Sequence, residues 1–87
     1  MTVSARAVVE LLAIHLEVER AKVVPLARLS DDLGASPLAL IQVALALEER
    51  FEIDIAEDDV AAFVTVEDVM AYVAHARRSR RRAGRGR

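Results

Sequence analysis

The 87-residue sequence predicts an all-α domain of four helices. Apolar residues recur at helical spacing in one segment near the N-terminus and in another in the middle of the chain. Two residue pairs, Ser36-Pro37 and Thr65 with Asp68, are typical of helix N-termini. The one alternating segment, residues 51–55, is a short candidate strand without a second strand to pair with. We therefore interpret that segment as a loop.

The first helix is predicted to begin at Ser4, whose hydroxyl is suited to capping a free backbone N–H. Three polar residues, Arg6, Glu10 and Glu17, share one side of this helix. The opposite side is apolar and is expected to face the core; it carries Val8, Leu11, Leu12 and Leu16.

A long connection follows the first helix, because the helical period is lost from Glu19 to Ala35. Pro25 and Gly34 interrupt this stretch. Loops of this length are uncommon in compact domains unless they pack their own side chains. Four apolar residues are expected to pin the loop to the core: Val23, Leu26, Leu29 and Leu33.

The second helix is predicted to span Pro37–Phe51, with Ser36 as its cap and proline at its first position. Proline is tolerated there because the N–H that it lacks has no partner inside the helix. In the segment after this helix, Ile53 and Ile55 are expected to insert into the core.

A short third helix is predicted near residues 57–62, where three consecutive acids suit the positive end of a helix dipole. The fourth helix is predicted to open at a capping box formed by Thr65 and Asp68. Its apolar side continues through Val66, Val69, Met70 and Val73.

Composition narrows the class of protein. The chain has no cysteine, so disulfides and thiolate metal sites are excluded, and no feature indicates an oxidising compartment. The N-terminal residues lack the pattern of a signal peptide, and no apolar run approaches the ~20 residues that span a bilayer. We expect a cytoplasmic domain.

The charge is divided sharply along the chain. All fourteen acids lie before residue 77, where only five basic residues accompany them and the net charge is −9. The last eleven residues carry seven arginines. We therefore predict a helical domain over residues 1–76 and a disordered arginine-rich tail over residues 77–87. Nucleic acid or an anionic surface could bind Arg77–Arg87, but the tail has no aromatic residue for stacking, and solvated disorder is the favoured interpretation.

The segment from Asp32 to Phe51 resembles the centre of an acyl carrier protein, where Asp-Leu-Gly-x-Asp-Ser-Leu opens the second helix. Here the motif reads Asp-Leu-Gly-Ala-Ser-Pro-Leu. The Leu-Glu-Glu-x-Phe run and the Ile-x-Ile pair follow in the family's order, and the likeness extends from about Val8 to Val73. It implies a four-helix bundle of the acyl-carrier-protein type, with a long first loop and a short third helix. It also implies docking to enzymes of fatty-acid, polyketide or related biosynthesis.

In that family the serine of Asp-Ser-Leu carries a phosphopantetheine arm. Pro37 stands in this position and has no hydroxyl for the phosphodiester. Ser36 has two interpretations: it caps the second helix, or it accepts phosphopantetheine one residue early. The helix end suits a phosphate, but the shift rotates the hydroxyl by about 100° around the helix. We favour the cap and expect no cofactor, with phosphopantetheine present only if Ser36 is modified.

The second helix carries a second apolar side, formed by Leu38, Ile41 and Leu45, opposite the side expected to face the core. This side either contacts a partner or lines a pocket, or it is packed within the chain and partly covered by the first loop and third helix; the sequence leaves both interpretations open. The resemblance places partner recognition here. Many family members carry acids where Ala39 and Gln42 stand, whereas the acids lower on the helix remain. The predicted partner-binding residues are Leu38, Ile41, Gln42, Leu45, Glu48 and Glu49.

Enzymatic chemistry is not indicated. No Ser/His/Asp constellation and no Gly-rich phosphate loop is present, and neither His15 nor His75 has a neighbour that would form a metal pair. Three functions remain. The first is a carrier-like domain that docks to biosynthetic enzymes without a phosphopantetheine arm. The second is a carrier modified at Ser36, and the third is an interaction module whose tail contacts nucleic acid or membrane.

Overall fold

The computed structural model describes the backbone of residues 2–85 and the side chains of residues 2–79. It contains the helices α1 (Val3–Leu16), α2 (Pro37–Phe51), α3 (Glu57–Val60) and α4 (Val66–Arg85). Helix α1 packs against α2 and α4, and α2 also contacts α3 and α4. A 3₁₀ turn, Arg20–Lys22, lies in the first loop. Residues 2–85 contain no strand, so the all-α prediction is confirmed.

The core lies where the apolar sides of α1, α2 and α4 meet the first loop. Eight large side chains there are fully buried: Val8, Leu12, Leu29, Val43, Leu47, Val66, Val69 and Val73. Ile53 is also buried, and Ile55 packs against the same cluster. The prediction that these two isoleucines insert into the core is confirmed.

The N-terminus of α1 differs from the prediction. Helix α1 is capped by Thr2, whose Oγ1 accepts a hydrogen bond from the Ala5 N–H at 3.1 Å. Ser4 lies inside the helix, and its hydroxyl accepts a hydrogen bond from the Arg77 guanidinium instead. Both residue types are competent caps, and the earlier one leaves the Ser4 hydroxyl available to α4.

The capping box at the start of α4 is confirmed. The Asp68 N–H donates to Thr65 Oγ1 at 3.2 Å, and the Thr65 N–H donates to Asp68 Oδ2 at 3.0 Å. The Val64 N–H also donates to Asp68 Oδ2, at 3.1 Å. The Thr65 and Val64 donors favour the ionised carboxylate and hold the pKa of Asp68 below its usual value. The resulting stabilisation is complete above the ordinary pKa of an aspartate, and it is lost as the pH falls through the lowered one.

The first loop packs in an alternating pattern set by its hydrogen bonds to the start of α4. The Leu29 N–H donates to the Val64 carbonyl at 2.9 Å, and the Val66 N–H donates to the Ala27 carbonyl at 3.0 Å. Ala27 and Leu29 are buried on either side of Arg28, which bridges to Thr65. Leu26 lies in the turn that the Ala27 N–H closes by donating to the Val24 carbonyl at 3.0 Å. Leu26 is 76% exposed there, and the prediction that it pins the loop is wrong.

Helix α3 is a single turn that ends at Val60, two residues before the predicted end. It is tied to α4 by the Tyr72 hydroxyl, which donates to Asp59 Oδ2 at 2.7 Å. Burial and, secondarily, the bond to Asp59 raise the pKa of Tyr72, so its hydroxyl stays protonated as the donor. The Phe63 ring meets the Tyr72 ring edge-on, with centroids 5.4 Å apart.

Helix α4 continues into the arginine-rich segment, which differs from the predicted disorder of residues 77–87. The backbone is helical to Arg85, and residues 86 and 87 lie outside the described residues. Arg77 contacts Ser4, and its guanidinium lies 5.6 Å from the centroid of the Phe51 ring. Arginine and alanine have high helix propensity, and extending an existing helix adds one hydrogen bond per residue. None of the described helices is both long and apolar enough to span a membrane.

Candidate functional site

The N-terminus of α2 is built by Ser36 and Pro37. Ser36 has extended backbone angles (φ −80°, ψ 165°), and its Oγ accepts a hydrogen bond from the Ala39 N–H at 3.1 Å. Pro37 occupies the first helical position, where its missing N–H leaves no partner unsatisfied. The predicted helix boundaries and the capping role of Ser36 are confirmed. The exposed serine side chain therefore has a structural task at this end of the helix.

Two acids precede this helix and are engaged within the first loop. Asp32 Oδ2 accepts a hydrogen bond from the Arg28 N–H at 2.7 Å. Asp31 Oδ2 lies 3.4 Å from the Arg28 guanidinium in an exposed ion pair. Gly34 follows with a φ of +71°, a conformation that glycine adopts without steric cost. These contacts stabilise the turn that precedes Ser36.

The second apolar side of α2 is open to solvent. Leu38 is 63% exposed, Ile41 51% and Leu45 59%, so packing within the chain leaves more than half of each residue open to solvent. We call these three residues the α2 stripe. Leu38 and Leu45 are seven residues apart, which corresponds to about 10 Å along the helix axis.

A surface groove of about 600 Å³ runs beside the α2 stripe, between α1 and α2. From α1 it is lined by Leu11 and His15, and from α2 by Gln42, Leu45, Ala46, Glu49 and Arg50. Sequence reasoning missed the two α1 residues as members of this site. Their position next to α2 depends on how the two helices pack, which no local sequence signal indicates.

Glu48 differs from the other predicted partner-binding residues. It is half-buried, and its Oε2 accepts a hydrogen bond from the Ile55 N–H at 2.9 Å. This carboxylate fixes the segment that inserts Ile53 and Ile55 into the core. Glu49 and Gln42 are exposed and remain available to a partner.

Removing the cap tests the structural task of Ser36. Ser36→Ala is expected to lower the free energy of unfolding by about 0.5–2 kcal/mol, because the Ala39 N–H loses its acceptor. Urea denaturation midpoints, compared at constant slope, measure this change. Ser30→Ala, which alters an exposed loop serine, is the matched control. If both variants are as stable as the parent, Ser36 does not act as a cap.

Comparison with known proteins identifies the family. A family model described as "Phosphopantetheine attachment site" matches residues 6–73. The chain is 38% identical over 73 residues to an acyl carrier protein of Zymomonas mobilis subsp. mobilis, covering 84% of this chain and 94% of that protein. It is 36% identical over 67 residues to an acyl carrier protein of Syntrophobacter fumaroxidans, covering 77% of this chain and 83% of that protein. An acyl carrier protein of Desulforapulum autotrophicum is 47% identical over 51 residues, covering 59% of this chain and 66% of its own length. The chain therefore belongs to the acyl carrier protein family, whose members are carriers rather than enzymes.

Proposed function

We propose that this chain is a docking member of its family that carries no phosphopantetheine arm. It binds enzymes of acyl-carrier-dependent biosynthesis, of the fatty-acid or polyketide type, through the α2 stripe and the adjoining groove. The observation that carries the proposal is Pro37, which occupies the family's attachment position without a hydroxyl. Intact-mass spectrometry of the unaltered chain tests the absence of the arm, and a binding measurement tests docking.

The residues at the start of α2 do not fit the family's attachment chemistry. Ser36 is the nearest hydroxyl in the chain, one residue before the attachment position. Its Oγ already accepts the Ala39 N–H, and its backbone is extended rather than helical. A transferase that recognises Asp-Ser-Leu would meet Ala35 before this serine and Pro37 after it.

The α2 stripe supports docking by apolar burial. No charged residue occurs from Pro37 to Leu47, so the first eleven residues of α2 offer a partner no carboxylate. Fully burying a leucine or isoleucine contributes about 1.5–3 kcal/mol, before the costs of association. Among the predicted contact residues, Glu49 is the exposed acid, and it stands at the edge of the groove. Charge then adjusts orientation and association rate more than affinity.

A second candidate function is a carrier modified at Ser36. One observation favours it: this serine side chain is exposed at the N-terminal end of a 15-residue helix, where an anionic phosphate is stabilised. The two functions differ in one covalent group and predict different masses for the chain.

Docking is tested with a purified enzyme encoded beside this gene that uses an acyl carrier substrate. Leu45→Glu is expected to weaken its binding more than about tenfold, because a charge would be buried without a partner. Leu26→Glu, which alters a leucine that is exposed outside α2, is expected to leave binding unchanged. Binding is measured by surface plasmon resonance in 50 mM and 500 mM salt.

Salt is expected to change the affinity of the parent chain little, because screening acts on charges. The α2 stripe has none, and Glu49 and Arg50, which line the groove, are opposite in sign. Equal weakening by both substitutions would contradict docking through the stripe. Loss of binding in high salt would assign recognition to the exposed acids instead.

A further inference from the structure

A second groove lies at the opposite end of α2 from Ser36. It has a volume of about 670 Å³ and is formed by the first half of α1, the 3₁₀ turn and the end of α2. Its main lining residues are Val3, Arg6, Arg20, Val23, Val24 and Arg50. We call it the arginine groove. Arg50 is thirteen residues beyond Pro37, which places the groove about 20 Å along α2 from the start of that helix.

The base and walls of the arginine groove are aliphatic. Val9 and Val23 are buried at its base, whereas Val3 and Val24 are 79% and 49% exposed. The remaining uncharged lining residues are alanines. Among residues 2–79, no aromatic or amide side chain lines the groove, so these side chains supply no neutral hydrogen-bonding groups of the kind that recognise a peptide. The volume lies within the range of small-molecule sites.

The rim of the groove is cationic although the body of the protein is acidic. Three arginines and one glutamate line it, and Glu10 is already paired with Arg20. Within residues 2–79, no ion pair involves Arg6 or Arg50. The Arg50 guanidinium lies 5.3 Å from the centroid of the Phe51 ring. The first turn of α1 contains no acid, so the positive end of that helix adds to the field.

We propose that the arginine groove binds a single-chain amphipathic carboxylate, such as a free fatty acid. The hydrocarbon chain would lie over the valines and exclude water from them. The carboxylate would lie at the rim, where the planar arginine guanidinium suits bidentate hydrogen bonding. The ligand needs both its hydrocarbon chain and its carboxylate. The valines do not recognise charge, and exposed arginines alone bind a carboxylate weakly.

The probe is laurate below its micelle concentration, titrated into the ¹⁵N-labelled full chain. We expect saturable shifts in the backbone amides of Ala7, Val23 and Val24. Dodecyltrimethylammonium, which has the same chain and the opposite charge, and inorganic phosphate, which has no chain, are expected to leave these amides unshifted. Arg6→Gln and Val24→Asp are each expected to weaken laurate binding about twofold to fivefold, a change of the size that one exposed ion pair contributes.

Arg78→Gln is the matched control, because it removes an exposed arginine that does not line the groove. Unchanged amide spectra of the free variants establish that they are folded. Four results would overturn the proposal. The first two are laurate-induced shifts confined to the α2 stripe and equal binding of laurate and dodecyltrimethylammonium. The other two are equal laurate affinity in all variants and binding of an acidic peptide to a groove that does not bind laurate. If dilution alone moves the groove amides, the groove is an interface between copies of this chain, and the proposal also fails.

Discussion

The double change Ser36→Asp, Pro37→Ser is expected to turn an unmodified chain into one that accepts phosphopantetheine stoichiometrically. It restores Asp-Ser-Leu over residues 36–38, with the new hydroxyl in the family's position. Aspartate is as good a helix cap as serine, so the Ala39 N–H keeps an acceptor and α2 keeps its start. Intact-mass spectrometry after treatment with coenzyme A and a permissive transferase measures the adduct.

The control for this change is Ser36→Asp, Pro37→Ala, which keeps the cap and omits the hydroxyl. It is expected to remain unmodified. If the restored motif also remains unmodified while the variant is folded, α2 is not presented as the family presents it. In that case the missing hydroxyl is not what separates this chain from a working carrier.

The second large effect is expected in the core. Leu47 is fully buried in the cluster that joins α1, α2 and α4, so Leu47→Ala leaves a cavity and should lower the free energy of unfolding by about 2–5 kcal/mol. The total free energy of unfolding of a native protein is about 5–15 kcal/mol, so this loss is a large fraction of the total. The measurement is the urea midpoint at constant slope.

Leu45→Ala is a matched control for the core substitution, with the same side chain on the same helix two residues away. Leu45 is 59% exposed, so its truncation is expected to change the free energy of unfolding by less than about 0.5 kcal/mol. Similar losses in both variants would mean that Leu45 is packed in solution. The α2 stripe would then not be a free surface.

Local signals in the sequence predicted several elements of the fold. Helix α2 has the predicted boundaries because a cap and a proline lie next to each other at its start. The start of α4 was predictable for the same reason, since Thr65 and Asp68 lie three residues apart and satisfy each other's amides. Such signals depend on neighbours in sequence and therefore require no knowledge of packing.

The features that sequence reasoning missed depend on contacts between distant segments. Leu26 is exposed because it lies in a turn, closed by the Ala27 N–H and the Val24 carbonyl, that precedes the residues paired with the start of α4. The Glu48 carboxylate accepts a hydrogen bond from the Ile55 N–H, seven residues further along the chain. Arg77 packs on Phe51 and Ser4, so the packed body extends beyond residue 76. Periodicity along one helix does not reveal these partners.

The candidate site likewise has features that the sequence predicted and features that depend on packing. The helical spacing of Leu38, Ile41 and Leu45 was visible in the sequence, but their exposure was not, because it depends on where the loop and α3 lie. The arginine groove gave no sequence signal at all. Arg6, Arg20 and Arg50 come from three separate segments and meet only after α1 and α2 pack.

The absence of an arm is tested most directly by intact-mass spectrometry of the unaltered chain. The chain is incubated with coenzyme A and a permissive transferase, beside a carrier protein with an intact Asp-Ser-Leu motif as the positive control. We predict one species at the unmodified mass of the chain while the control is fully converted. A stoichiometric adduct that peptide mapping places on Ser36 would contradict the proposal, and it would make this protein a carrier with a shifted attachment site.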